Sequence, residues 1–454
     1  MALPPGPSWP PVLQTAAWIT RPAPFMERAR RRFGDVFTVR LAQVGTFVFT
    51  TDPELLKTVF TTGPDKLRAG EANVALEPVL GSRSVLLLDG AEHLRQRRLM
   101  LPSFHGERLR GYEQLIAEIA TEEMRRWPIG EPLVLQPRMQ AVTLEVILRV
   151  VFGMDEGPRL VELRERLKKL LTVSTRPWAL VPWLRRDLGR LSPWVRFLEV
   201  RDEVDEAIFA EIARRRDDPS LDERTDIFSM LMQARDEDGG ALSDRELRDE
   251  LITLLVAGHE TTATGLAWAF ERMVRHRDGV AVGLAQLAGS ADDDAREYAD
   301  AVVQETLRLR PPIPLVARRV VNEPFQLGEH EIPVGTNVAP CIYLVHRRED
   351  LYPDPYAFRP ERFLERPPET YGWLPFGGGM RRCIGASFAV LEMSTILRTV
   401  AREVRLEPAG DGPERIARRA IVFAPSRGGE VVVSSAGGGQ IAEDVEPVLQ
   451  ADRP

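Results

Sequence analysis

The sequence predicts a mainly α chain with a small β-rich part. Three observations carry this prediction. Helix-compatible apolar periodicity dominates from His93 to about Val274. The pattern Ser243-Asp244-Arg245-Glu246 has capping-box form and opens a long helix through Leu251, Leu254, Leu255 and Trp268. Strand-like alternation is confined to a few short segments.

Taken in order, Asp35 to Thr50 alternates and is rich in Val, Phe and Thr, which predicts a β-hairpin. A short helix follows over Asp52 to Phe60. The helical stretch from His93 is interrupted by the Pro-, Trp- and Arg-containing residues Arg176 to Trp194, a candidate entrance lid. Asp292 to Leu309 is another helix, stopped by Pro311-Pro312. Short strands are expected near Leu315 to Val321 and Asn337 to Tyr343. From Ser434 the chain turns Gly-rich, then acidic, which predicts a disordered tail over 434–454.

Length alone, 454 residues, suggests about three domains. Candidate motifs nevertheless run from His93 to Cys383 with no long linker, so residues 1–433 read as one unit. A net charge of -7 argues against general nucleic-acid binding. Two cysteines allow at most one disulfide, which excludes a small secreted disulfide framework. The start, Met1-Ala2-Leu3-Pro4-Pro5-Gly6-Pro7, has no signal-peptide pattern, and no 18-residue apolar span occurs. The expectation is a soluble, cytoplasmic protein without a membrane anchor.

The most informative residues are Phe376-Gly377-Gly378-Gly379-Met380-Arg381-Arg382-Cys383-Ile384-Gly385. They place Cys383 in a glycine-rich loop beside two arginines, at the expected start of a helix. Nearby cations and a helix N-terminus both favour thiolate. Neither Cys341 nor any histidine lies at zinc-finger spacing from it. A lone thiolate held open by glycine suggests a single axial ligand to a large flat cofactor; read alone, such a cysteine is also a buried, unreactive thiol.

The ten residues resemble the haem-binding signature of the cytochrome P450 family, which fixes Phe376, Gly379, Arg381, Cys383 and Gly385 in type and spacing. The resemblance runs from about Leu3 to Val433. It implies the cytochrome P450 fold, a haem b cofactor, and Cys383 as its metal ligand. Ala257-Gly258-His259-Glu260-Thr261-Thr262 is similar to the family's oxygen-activating motif, in which Glu260 is the acid and Thr261 the hydroxyl of a proton relay. Small residues at 257 and 258 would leave room for a ligand, and the Thr261 hydroxyl could open a local kink. The same residues also read as a helix-packing site.

Glu305-Thr306-Leu307-Arg308, followed by Phe358-Arg359-Pro360-Glu361-Arg362-Phe363, is similar to the family's buried Glu-Arg-Arg cluster, here Glu305, Arg308 and Arg362. In bacterial members a His-x-x-x-Arg pair serves the haem propionates. By resemblance His93 and Arg97 take that role, with Arg381 and Arg318. An ordinary solvated basic face also explains His93 and Arg97. His105, His276, His330 and His346 receive no role.

The resemblance implies a monooxygenase that inserts one atom of O2 into an organic substrate. No flavin or nicotinamide fingerprint is present, so electrons come from a separate ferredoxin or flavodoxin with its reductase. Met380, Arg382, Arg95 and Arg98 could form a basic docking patch. Candidate pocket segments, Leu67 to Leu80, Arg176 to Leu191, Ile252 to Ala257, Ile313 to Val316 and Ile421 to Phe423, are largely apolar. They suit a fatty acid, a terpenoid or a macrolide-like product. The alternatives are a peroxide-using or isomerising haem-thiolate enzyme and a haem-based sensor.

Overall fold

The structure, a computed structural model, describes residues 3–104, 107–154, 157–174, 185, 189, 192–276 and 293–436. Among these, eleven α-helices reach nine residues or more. They are α1 (Pro11–Thr20), α2 (Pro22–Phe33), α3 (Pro53–Thr61), α4 (Gly90–Met100), α5 (Glu113–Met124), α6 (Leu135–Val146), α7 (Pro158–Ser174), α8 (Pro193–Arg216), α9 (Asp244–Arg275), α10 (Asp293–Leu309) and α11 (Ala386–Glu403).

The longest, α9, starts where the capping box predicts. The Ser243 N–H donates to Glu246 Oε2 (2.8 Å) and the Ser243 hydroxyl accepts from the Glu246 N–H (3.3 Å). From Thr262 to Val274 every residue is buried, as a helix enclosed on all sides must be. Against it lie α6, α10 and α11. Leu251, Leu255, Leu266 and Phe270 join Leu144, Val303 and Leu397 in one apolar core. At about 1.5 Å per residue, its 32 residues span roughly 48 Å and form the axis of the molecule.

The strands form small sheets at the margin of this helical body. β1 (Val36–Leu41) and β2 (Gly45–Thr50) pair as the predicted hairpin, in register from Val36 with Thr50 to Leu41 with Gly45. With β3 (Leu67–Arg68), β5 (Arg318–Val320) and β8 (Asn337–Pro340) they make a five-stranded sheet in the order β1-β2-β8-β5-β3. The β2–β8 pairing is parallel and the others antiparallel. β4 (Pro132–Val134), β12 (Glu430–Ala436) and β9 (Val404–Pro408) form a second sheet. β6 (Phe325–Leu327) with β7 (His330–Ile332), and β10 (Ile416–Arg419) with β11 (Val422–Pro425), are hairpins.

Several expected boundaries move. The strand expected to Tyr343 stops at Pro340, and Ile342–Val345 is one helical turn. Cys341 lies between them, fully buried against Met26, whose sulfur is 3.6 Å from its own. Strand β12 reaches Ala436 because it pairs with β9, so the first three residues assigned to the tail belong to a strand. Residues 437–454 lie outside the described residues, as does most of Arg176–Trp194. Within that segment Trp194 stacks on Phe197 at 5.2 Å, and the Arg185 guanidinium lies 5.7 Å from the Trp194 ring.

Candidate active site

Backbone hydrogen bonds shape the cysteine loop. The Cys383 N–H donates to Phe376 O (2.9 Å), the Gly377 N–H to Leu374 O (2.9 Å) and the Arg382 N–H to Gly379 O (3.1 Å). Phe376 packs edge-on against Trp373 at 5.8 Å, and Trp373 in turn donates to Gln304 O on α10. Gly379 has φ 63°, and a Cβ there would lie 2.2 Å from Phe60 O, so the loop tolerates only glycine. At Gly385, one residue before α11, nothing lies within 4 Å of where a Cβ would be. That position faces open space beside the cysteine.

The Cys383 sulfur is exposed, although the surrounding protein is dense. Burial pushes its thiol up from the ordinary range; the Gly385 N–H, Arg97 and Arg382 act against that push. The thiolate expected from the sequence therefore needs more than these neighbours. α11 begins at Ala386, with Gly385 as its N-cap, so the Gly385 N–H at the sulfur belongs to the start of that helix. A metal ion held by this sulfur would supply the difference, because a coordinating thiol is deprotonated outright.

Basic side chains gather near the cysteine: Arg97 and Arg382 act on its sulfur, and Arg97, Arg318 and Arg381 act on His93. His93 is buried on α4, with Arg97 one turn further along. Arg318 on β5 is buried, whereas Arg319 points to the other side of the strand and comes within 3.9 Å of Glu71, as strand alternation requires. His93, Arg318, Arg381 and Asp89 line one cavity with Phe60 and Gly378. Burial, then Arg381, Arg97 and Arg318, push the His93 imidazole down to about 3. Burial and Arg381 push Arg318 down to about 10.

Asp89 is the one acid in that lining. It already accepts from Arg381 Nη2 (2.5 Å) and from the Ala69 and Gly70 N–H groups. Arg381 also donates to Val85 O at 2.9 Å. Positive charge is thus in excess. The donor set fits a flat ligand carrying two carboxylates and a metal that takes one sulfur ligand.

On α9, Ala257 is exposed and Gly258 half-buried. A Cβ on Gly258 would meet Ile147 Cδ1 at 3.6 Å, an ordinary van der Waals contact with the residue after α6. The Thr261 hydroxyl donates to Ala257 O (2.5 Å), and the helix runs unbroken from Asp244 to Arg275. Back-bonding to the carbonyl one turn earlier satisfies the hydroxyl within its own helix. Glu260 does not face Thr261. Its carboxylate accepts from Gln140 Nε2 (2.6 Å) and Gln136 Nε2 (3.3 Å), both on α6. Burial raises the Glu260 carboxyl against the pull of Gln140, Arg419 and Gln136. Next to it, His259 Nδ1 lies 3.0 Å from the Thr143 hydroxyl, and burial lowers it to about 4.

Glu305, Arg308 and Arg362 come together as a buried network. Arg308 Nε and Nη2 donate to the two Glu305 oxygens at 2.7 and 2.9 Å, and Arg362 Nε donates to Glu305 Oε1 at 3.2 Å. The Arg359 N–H adds a fourth bond to that carboxylate (2.9 Å). Arg308 also donates to the carbonyls of His346, Pro355 and Ala357.

His346, left without a role by the sequence, is fully buried. Its Nδ1 lies 3.0 Å from Arg308 O, and its Nε2 accepts from the Leu374 N–H at 2.8 Å. It therefore ties the ion network to the cysteine loop, two residues before Phe376. Burial, then Arg308, keeps it neutral.

Arg95 and Arg98 are both paired with acids. Arg95 is held by Asp236 (2.7 Å) and Glu246 (3.2 Å), and Arg98 by Glu237 (3.1 Å). Of the expected pocket segments, Ile252, Leu255 and Phe423 are core residues, while Ala257 and Ile421 are exposed.

The family model described as "Cytochrome P450" matches residues 4–432. The chain is 42% identical over 435 residues to "Putative cytochrome P450 135B1" of Mycobacterium tuberculosis, covering 95% of this chain and 92% of that protein. It is 40% identical over 431 residues to "Putative cytochrome P450 138" of the same species, covering 95% and 96%. The solved structure described as "Retinoic acid bound cyanobacterial CYP120A1" superposes with TM-score 0.80 at 24% identity, over 95% of this chain and 99% of that one.

Proposed function

The chain belongs to the cytochrome P450 family of haem-thiolate monooxygenases, and from that premise we propose that it oxidises an apolar organic substrate, with Cys383 holding the cofactor. A fatty acid, a terpenoid or a macrolide-like product is the substrate class that its apolar residues suit. Haem b, the cofactor of the family, supplies dioxygen activation when bound. The family draws its electrons from redox partner proteins, here a ferredoxin or flavodoxin with its reductase. Residues 1–433 act as one catalytic unit. Among the described residues no helix is long and apolar enough to cross a membrane.

Each residue then has a task set by its surroundings. Cys383 would hold the metal of the cofactor through its thiolate, whose charge the Gly385 N–H and Arg97 stabilise. Gly385 and Phe376 frame the sulfur, and Gly379 allows the close turn that presents it. His93, Arg97, Arg318 and Arg381 receive the two carboxylates of the cofactor and so relieve their mutual repulsion. Glu260 is the acid and Thr261 the hydroxyl that hold and pass protons beside the substrate. Glu305, Arg308 and Arg362 hold the scaffold of the loop through His346. Exposed Met380 and Arg382 lie next to the sulfur, where an acidic electron donor can approach.

The observation that carries this reading is an exposed cysteine in a glycine-rich loop with Arg97 and Arg382 acting on its sulfur, beside a cavity lined by His93, Arg318 and Arg381. The test is the absorption difference spectrum of reduced protein with and without carbon monoxide. A Soret band strongly red-shifted from that of histidine-ligated haem is expected. A persistent histidine-like band in fresh, intact protein would instead favour a sensor.

A further inference from the structure

Glu260 is held in a way the sequence does not announce. Gln136 and Gln140 are one turn apart on α6 and both aim their amide N–H groups at this single carboxylate. Gln136 Nε2 also reaches the Thr264 hydroxyl (3.0 Å), one turn along α9 from Glu260. The Gln136 backbone N–H is pinned to Gly428 O at 2.9 Å, so the brace has a fixed base. Glu260 and Thr261 are neighbours in a continuous helix, which sets their side chains about 100° apart. The carboxylate accordingly turns towards α6 while the hydroxyl turns back along its own helix.

No cation hydrogen-bonds to Glu260 among the described residues. Arg419 on β10 acts on it only through space, and His259 faces Thr143 instead. Two neutral amides orient an acid without fixing its charge. A lysine or arginine in their place would lock it as a carboxylate. An acid that must both hold and release protons needs the first kind of partner.

We propose that Gln140 and Gln136 are positioning residues for the oxidation. They fix the direction of the Glu260 carboxyl and leave it free to change protonation state. This rests on the reading of Glu260 as the acid of the proton relay.

The test uses the haem-loaded full chain and three variants: Gln140→Leu, Gln140→Lys and Glu260→Gln. Difference infrared spectroscopy across a pH series, with Glu260→Gln as the subtraction reference, isolates the Glu260 carboxyl. Gln140→Leu removes a donor to the charged form and is expected to raise its midpoint by about one pH unit. Gln140→Lys places a cation there and is expected to lower it by about as much. Opposite shifts from one position are not what a purely structural glutamine gives.

Alongside this, peroxide released per dioxygen consumed is measured with a ferredoxin–reductase pair, which reads how well protons are directed. It is expected to rise severalfold in Glu260→Gln and in Gln140→Lys. If neither Gln140 variant moves the carboxyl midpoint, the brace is overturned while the role of Glu260 stands. If the midpoints move but Glu260→Gln releases no more peroxide than the parent, the relay reading is overturned, and the positioning role with it.

Discussion

Arg308 grips both oxygens of Glu305 from one turn further along α10, at 2.7 and 2.9 Å, and neither side chain has any exposed surface. A buried pair of this kind adds little over an apolar pair of the same shape, yet losing one partner strands the other. Arg308 would be left with three carbonyls and no counter-charge. Glu305→Ala is expected to cost about 3–5 kcal/mol and to yield protein with little bound haem. Haem content from the Soret-to-protein absorbance ratio checks this; a parental ratio in that variant would remove the network from the scaffold of the site.

Cys383→Ser keeps the loop shape, since the hydrogen bond to Phe376 is made by the backbone. It removes the ligand sulfur. The reduced carbon monoxide complex is expected to lose the thiolate band entirely while far-ultraviolet circular dichroism stays parental. A retained band would mean that another residue holds the metal.

Two glycines of the same loop should fail differently. Gly379→Ala forces a Cβ to 2.2 Å from Phe60 O at φ 63°, and so should destabilise the fold itself, by more than about 1 kcal/mol. Gly385→Ala meets nothing within 4 Å, and the apoprotein should melt near the parent. Its methyl group projects where the cofactor is expected, so haem affinity should fall. Thermal melts of both apoproteins, followed by haem titration, separate the two cases. Equal melting losses would refute the distinction.

Glu392 gives the clearest pH dependence. It is enclosed on α11, its Oε1 has no hydrogen-bond partner among the described residues, and burial raises it to about 8. The folded chain therefore binds a proton that the unfolded chain has released between roughly pH 4.5 and 8. Stability from this group is present at the acidic end and is lost as pH rises, at up to about 1.4 kcal/mol per pH unit. Glu392→Gln should flatten that slope and be more stable than the parent above pH 8. Urea midpoints at pH 5, 7 and 8.5 would show it; a constant difference across the series would refute it.

What could be read from the sequence was what lies close along the chain. The Ser243–Glu246 cap, the Val36–Thr50 hairpin and the proline stop after Leu309 depend on residues within one turn or one hairpin. They stand in the structure within a residue or two. The cysteine loop was legible because its glycines, arginines and sulfur are contiguous. The partners of Glu260 were not, since Gln136 and Gln140 lie more than a hundred residues earlier and a glutamine carries no charge to attract notice. The same holds for His346, which meets Arg308 and Leu374 across separations of 38 and 28 residues. Arg95 and Arg98 looked free for the converse reason: their acids lie beyond residue 235.

The two cysteines of the chain differ in their exposure. Cys341 is sealed against Met26 and pushed up to about 12 by burial, while the Cys383 sulfur is open to solvent. An alkylating reagent therefore meets one addressable sulfur on the intact apoprotein. The fraction of chains that resist modification then counts loaded molecules directly, with no need for a substrate, an electron donor or an assay of turnover.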